Sequence, residues 1–263
     1  MKKNIIGIIG GGNMGEALIN GLYRTNRIFV VEGNGQRAGY LKKKYRVSVT
    51  DINMTVKEAG VLILAVKPQD MAEVLEQIKA CTWGKPVISI AAGLTTKFFE
   101  SYFPNRKLSV VRCMPNMPAL IGEGITGICA GRFATSADLK LAQSILGAIG
   151  QTVIVKEPMM DAVTAVSGSG PAYVFLFVEL WMQAAQKLGF KEEEARLLVY
   201  KTLTGSAHLL EKSQFNATEL RTKVTSKGGT TQAAMDVFFK RKFDLLMKDA
   251  LLAAKKRASE LAK

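Results

Sequence analysis

The sequence predicts two domains of different class, an α/β domain built on a parallel sheet and an all-α domain after it. Short apolar runs alternate with helical patterns to about residue 155, after which strand signals fade and long segments keep a helical period. A glycine cluster also stands at the first strand-to-helix turn, where an open α/β sheet places its ligand-facing loops. A chain of 263 residues is long enough for two such domains.

The elements follow in order. IIGII (5–9) reads as the first strand and MGEALINGL as the helix after it; IFVV (28–31) is the second strand, followed by a polar helix through Tyr45. VLILAV (61–66), PVISIA (86–91), LSVVRC (108–113), GITGICA (124–130) and TVIVK (152–156) continue the series. Such continuous apolar runs, rich in β-branched residues, suit strands covered on both faces. After Glu157 come MMDAVTAV, AYVFLFVELWMQAAQKLG (172–189), KEEEARLLVYKTLTGSAHLLEK (191–212), TTQAAMDVFFK and FDLLMKDALLAAKKRASELAK, all with helical spacing. Glu192, Glu193 and Glu194 open one of these helices, where they complement its dipole, and Lys255, Lys256 and Arg257 lie toward the end of another. The domains are therefore expected at 1–157 and 158–263. Residues 172–182 are apolar on more than one stripe, which predicts burial between subunits of a homodimer or larger homo-oligomer.

Composition narrows the function. A 48% hydrophobic content excludes a mainly disordered chain, and no apolar run approaches the roughly 18 residues of a membrane span, so no membrane partner is expected. The opening MKKNIIGIIGGG imitates a leader, but glycines interrupt its apolar stretch and no small-residue cleavage site follows. Cys81, Cys113 and Cys129 are odd in number and far apart, which predicts neither a disulfide framework nor a metal site and fits the reducing cytoplasm. The net charge of +14 is spread out, with short runs only at Lys42–Lys44 and Lys255–Arg257. Solvated helix faces explain these runs better than nucleic acid does, and such a protein also attracts a small anionic substrate.

Gly10, Gly12 and Gly15 have GxGxxG spacing directly after a strand and at the opening of a helix, which predicts a Rossmann-type dinucleotide-binding domain. Gly10 permits the tight turn, Gly12 the approach of backbone to pyrophosphate, and Gly15 the close seat of helix on strand. Glu32, 22 positions after Gly10 at the end of the second strand, suits the ribose hydroxyls of NAD; Arg37, Lys42–Lys44 and Asn34 suit the 2′-phosphate of NADP instead. Lys67 and Pro68, the glycine of SIAAGLTT, and the stiff VRCMPNMPALIGEG (111–124) all lie at the carboxyl edge of the sheet. SGSGP (167–171) predicts a helix break that lets backbone approach the nicotinamide, with Ser167 and Ser169 as local donors.

IGGGNMGEAL (9–18), LAVKPQ (64–69), AAGL (91–94), RCMPNMPA (112–119), AVSGSGPAYVF (165–175) and VTSKGGTT (224–231) together resemble the pyrroline-5-carboxylate reductase family over essentially the whole chain. The resemblance implies a Rossmann-type domain followed by an all-α dimerisation domain, in dimers that assemble up to decamers. It implies NAD(P)H-dependent reduction of 1-pyrroline-5-carboxylate to L-proline, with NADPH preferred and NADH possible. Cofactor contacts then fall on Gly10, Gly11, Gly12, Asn13 and Met14, on Asn34 and Asn53, on Ala65, Val66, Lys67 and Pro68, and on Ala91, Ala92 and Gly93. Substrate contacts fall on Glu157, Ser226, Gly229, Thr230 and Thr231, in a pocket completed across the dimer. Two positions depart from the family pattern: Gly33 stands where many members have arginine, and Lys227 where proline is usual.

Reduction of a cyclic imine needs a hydride donor over C5, a hydrogen-bonded nitrogen and a hold on the carboxylate. Gly228 and Gly229 precede the helix TTQAAMDVFF, so the N–H groups of Gly229, Thr230 and Thr231 are the expected carboxylate site, with Thr231 at the ring nitrogen. His208, the only histidine, lies mid-helix and is read as a packing or surface residue. The alternatives are a hydroxyacid or 6-phosphogluconate-type dehydrogenase, which would need a proton-transferring lysine from the helical domain that nothing around Lys187 supports, and an NADP-sensing protein without catalysis.

Overall fold

A computed structural model describes residues 5–81 and 84–261; MKKN, the start of the leader-like stretch, lies outside the described residues. These divide into two compact units, one reaching to Pro171 and rejoined by the segment from Ala253, the other Ala172–Leu252.

The first unit is built on strands β1 (Ile5–Ile9), β2 (Arg27–Val31), β3 (Ser48–Val49), β4 (Val61–Leu64), β5 (Val87–Ser89), β6 (Val110–Met114), β7 (Gly124–Ala130) and β8 (Gly150–Ile154), in the order β3-β2-β1-β4-β5-β6-β7-β8. The sequence led to the expectation of a parallel sheet, but the sheet is mixed: β7 runs antiparallel to β6, and β8 parallel to β7. Only residues 115–123, including a 3-10 turn at Met117–Ile121, join β6 to β7, too few for the helical crossover that a parallel pair requires. The two-residue β3 gave no periodicity to read.

Successive residues of the central strands enter opposite cores. Ile8 and Ile63 join Leu18, Leu41 and Leu146 on one face of the sheet, whereas Ile9, Leu62 and Leu64 join Met71, Leu75 and Phe99 on the other. The covering helices are α1 (Asn13–Leu22), α2 (Gly35–Tyr45), α3 (Ile52–Glu58), α4 (Met71–Lys79), α5 (Thr96–Ser101) and α6 (Ser136–Leu146). Asn34, Asp51, Thr95 and Thr135 cap α2, α3, α5 and α6 by accepting a backbone N–H into the side chain.

Helix α7 (Met160–Val163) leads through a π-helical turn at Thr164–Gly168 into α8 (Gly170–Lys187), so SGSGP does not break the helix but widens it. Ser169 donates its N–H to the Thr164 carbonyl at 2.8 Å, one residue beyond the α-helical partner, which absorbs the extra glycine without ending the helix. Helices α9 (Glu192–Lys212), α10 (Ala217–Lys223), α11 (Thr230–Lys240) and α12 (Phe243–Leu261) follow. The short α10 was not anticipated; Asn216 and Glu219 close it with a reciprocal capping box.

The continuous helix Glu157–Lys187 corrects the membrane argument, because its best 18-residue window has a mean hydropathy of 1.3, apolar enough to cross a membrane. That window is only 6% buried within the chain. Among the described residues of Ala172–Leu252 only Ala185, Ala195 and Val199 are buried, while Phe175, Leu176, Leu180 and Leu197 are each more than half exposed. Apolar surface on this scale marks an interface.

Candidate active site

Strands β3, β2, β1, β4 and β5 are parallel neighbours, so the segments that leave their carboxyl ends emerge along one edge of the sheet. Gly10–Met14 follow β1, Asn34 follows β2, Asn53 lies in α3 after β3, Ala65–Pro68 follow β4, and Ala91–Gly93 follow β5. The switch in strand order between β1 and β4 sits at the centre of this row, where open α/β sheets bind their ligands.

Each glycine of the first loop has a visible reason. Gly10 has φ +105°, and a Cβ there would stand 2.6 Å from the Ala65 carbonyl oxygen. A Cβ at Gly15 would overlap the Gly10 carbonyl, whereas one at Gly12 would meet nothing within 4 Å. The space beside Gly12 is what a pyrophosphate requires, and α1 begins there with its dipole aimed outward. The N–H groups of Gly12, Asn13, Met14 and Gly15 have no partner among the described residues. The loop fits a dinucleotide.

At the adenosine end the charged side chains have partners within the chain. Glu32 turns its carboxylate inward: Oε2 accepts the Gly11 N–H and Oε1 the Asn34 N–H, both at 2.8 Å. Arg37 and Lys44, read as candidate phosphate partners, lie against Glu16 at 2.5 and 3.0 Å. The Glu16 carboxylate also accepts from the Tyr40 and Tyr45 hydroxyls. Burial pushes the Glu16 pKa up, but Tyr45, Lys44, Tyr40 and Arg37 together outweigh it and hold the group at about 2. Arg37 Nε further donates to the Gly11 carbonyl at 2.7 Å. Lys42 and Lys43 remain exposed, and Asn34 Oδ1 caps α2 by accepting the Arg37 N–H at 3.0 Å.

At the neighbouring strand ends, Asn53 accepts the Cys81 thiol at 3.1 Å and Lys67 is exposed. Gly93 has φ +81° and approaches Leu261 at the end of α12. Asn116 staples the proline-rich loop by accepting the Ile125 N–H at 2.9 Å, and Met114 packs against Gly168 of the π-helical turn. Two motifs distant in sequence therefore meet here. Ser167 is not the free donor expected of it, since its hydroxyl returns to the Val163 carbonyl at 3.0 Å.

Glu157, expected at the substrate, braces the start of α5. Its two oxygens accept the N–H and the hydroxyl of Thr96, both at 2.7 Å, at the start of α5. Arg112, which is 4% exposed, lies 3.5 Å from Glu157 and 3.6 Å from Asp161, and Asp161 accepts the Ser259 hydroxyl at 2.7 Å. The sequence reading missed Arg112, Thr96 and Asp161; a lone arginine inside the apolar strand VVRCM was the available signal. Beside it, burial pushes the Cys129 thiol up to about 12, with Glu157 adding to the rise.

In the second unit the GGTT turn opens α11. Gly228 has φ +72°, and Gly229 is the N-cap of α11. The Gly229 N–H is donated to the Ser226 carbonyl at 3.0 Å, which removes it from the expected set of three carboxylate donors. Those of Thr230 and Thr231, with Gln232 beyond them, have no partner among the described residues. A Cβ on Gly229 would collide with the Ser226 hydroxyl.

Residues 157–261 match the family model described as pyrroline-5-carboxylate reductase dimerisation, and residues 5–93 the one described as NADP oxidoreductase, coenzyme F420-dependent. A pyrroline-5-carboxylate reductase of Haemophilus influenzae is 41% identical over 99% of this chain and 98% of its own. The pyrroline-5-carboxylate reductase structure from Coxiella burnetii superposes with a TM-score of 0.92 at 36% identity, covering all of both chains. The pyrroline carboxylate reductase of Plasmodium falciparum, solved with NADP bound, does so at 0.87 and 30%, again over all of both chains. With a dinucleotide loop at one end, a dimerisation domain at the other and identity of this order along nearly the whole length, the chain belongs to the pyrroline-5-carboxylate reductase family.

Proposed function

We infer that the protein reduces 1-pyrroline-5-carboxylate to L-proline, the last step of proline biosynthesis, with NADPH as donor and NADH also accepted. The observation that carries this reading is the pair of unpartnered helix starts, α1 beside the open Gly12 and α11 after Gly228 and Gly229, in a chain of this family. The first start suits a pyrophosphate and the second a substrate carboxylate.

When bound, the nicotinamide supplies the hydride. The chain supplies position and electrostatics: Gly10, Gly11, Gly12, Asn13 and Met14 seat the dinucleotide, aided by Asn34, Asn53, Ala65, Val66, Lys67, Pro68, Ala91, Ala92 and Gly93. The N–H groups of Thr230 and Thr231 hold the carboxylate, with Ser226 and Gly229 shaping the turn. Hydride adds to C5 and a proton to nitrogen, so the imine becomes a secondary amine. The imine nitrogen is basic enough to take its proton from solvent, which leaves the Thr231 hydroxyl to hydrogen-bond it in place. No strong base is required of His208 or Lys187. The domain boundary at 157/158 follows the dimerisation match beginning at residue 157, whereas the compact units divide at Pro171 and Ala172. Dimers that assemble further, up to decamers, and action in the cytoplasm complete the reading; unpaired Cys81, Cys113 and Cys129 support the latter.

The test follows nicotinamide absorbance with 1-pyrroline-5-carboxylate and each dinucleotide in turn. Oxidation of NADPH is expected, and none with either dinucleotide overturns the reading. Thr231→Ala is expected to lower turnover by about 10- to 100-fold, the cost of one hydrogen bond to a charged group, while dinucleotide affinity holds.

A further inference from the structure

We propose that Arg37 is a positioning residue of the dinucleotide loop and not a ligand of the adenosine 2′-phosphate. The proposal rests on the reading of the glycine loop as the dinucleotide site. A carbonyl and the N–H of the next residue belong to one rigid plane and point in opposite directions. By holding the Gly11 carbonyl at 2.7 Å from behind, Arg37 Nε therefore sets the direction of the Gly12 N–H, one of the unpartnered donors at the start of α1. Arg37 Nη2 extends the grip more weakly to the Gly12 carbonyl, at 3.4 Å, in the plane that carries the Asn13 N–H. Glu32 takes the Gly11 N–H at 2.8 Å, so both polar groups of that residue are held. Without side chains, Gly10, Gly11 and Gly12 resist a peptide flip poorly on their own, and each flip would turn a donor away from the ligand.

Arg37 is itself anchored. Glu16 lies 2.5 Å from its Nη2 with both side chains less than a third exposed, and the Tyr40 ring lies under the guanidinium at 5.2 Å. Tyr40, Tyr45 and Lys44 hold Glu16 from its other side. To reach a phosphate, the guanidinium would have to leave a part-buried charge and the loop it braces.

The experiment titrates the full-length protein with NADPH and with NADH by nicotinamide fluorescence, for the wild type, Arg37→Gln and Glu16→Gln. Arg37→Gln is expected to weaken both dinucleotides by the same factor, about tenfold, with their ratio unchanged to within about twofold. The steady-state change falls on KM for the dinucleotide rather than on kcat. Glu16→Gln, which leaves the guanidinium in place but loosens it, is expected to move both affinities in the same direction and less far. A loss confined to NADPH would assign Arg37 to the phosphate and overturn the proposal, as would unchanged affinity for both. Wild-type protein that binds neither dinucleotide would overturn the underlying reading of the loop, an outcome distinct from either.

Discussion

At the scale of single residues, Glu16 ties α1 to α2, because its one carboxylate gathers Arg37, Tyr40, Lys44 and Tyr45, all of α2. Its pKa is about 2 in the fold against an ordinary 4.5, so the ionised form contributes stability that is fully present above 4.5 and is lost as pH falls toward 2. Glu16→Gln should therefore melt lower than the wild type at pH 7, and the gap in Tm should narrow between pH 5 and pH 3. A gap independent of pH would deny the charge its role. None of this was legible in the sequence, where Arg37 sits five positions after Glu32 and reads as a partner for the 2′-phosphate of NADP. The glycines were legible, because GxGxxG spacing after a strand demands backbone geometry that few residues other than glycine supply.

At the scale of elements, helix starts and strand runs were legible and their partners were not. The run GITGICA announced β7 but not its reversed direction, which depends on how short the link from β6 is relative to a crossover. The glycines of SGSGP announced a perturbed helix; only the hydrogen-bonded frame of its neighbours decides between a break and a π-helical turn. The start of α11 is the element with the sharpest chemical consequence. Gly228 has φ +72° and open space around it, so Gly228→Ala meets a conformational penalty of roughly 1–2 kcal/mol and no clash. The expected result is a Tm lower by a few degrees and a several-fold higher KM for the imine, with dinucleotide affinity intact. An unchanged KM would remove the turn from the substrate site.

At the scale of the whole molecule, the two units differ in how they are stabilised. The sheet carries two buried clusters of its own, whereas Ala172–Leu252 leaves Phe175, Leu176, Leu180 and Leu246 more than half exposed. A helical unit with so little interior depends on a partner, in keeping with the dimerisation match over 157–261. Leu180→Asp should shift sedimentation from a homo-oligomer toward monomer and lower Tm. A variant that sediments like the wild type would place the interface on another face. The helix Glu157–Lys187, apolar enough to span a bilayer, carries Glu179, Ser167 and Ser169, and an association of subunits would cover its apolar side chains.

The sequence by itself determined the class of each half, the dinucleotide loop, the resemblance to a reductase family and the GGTT helix start, because each depends on local periodicity or on a backbone conformation that names its residue. The tertiary structure decided what depends on approach in space. It reversed β7, turned Glu32 inward to Gly11, drew Arg37 to Glu16, made Glu157 a brace for Thr96 and Arg112, and withdrew the Gly229 N–H from the carboxylate site. Charged and polar side chains have several partners within reach along a chain, and burial chooses among them, since a part-buried charge is stable only where a second group meets it.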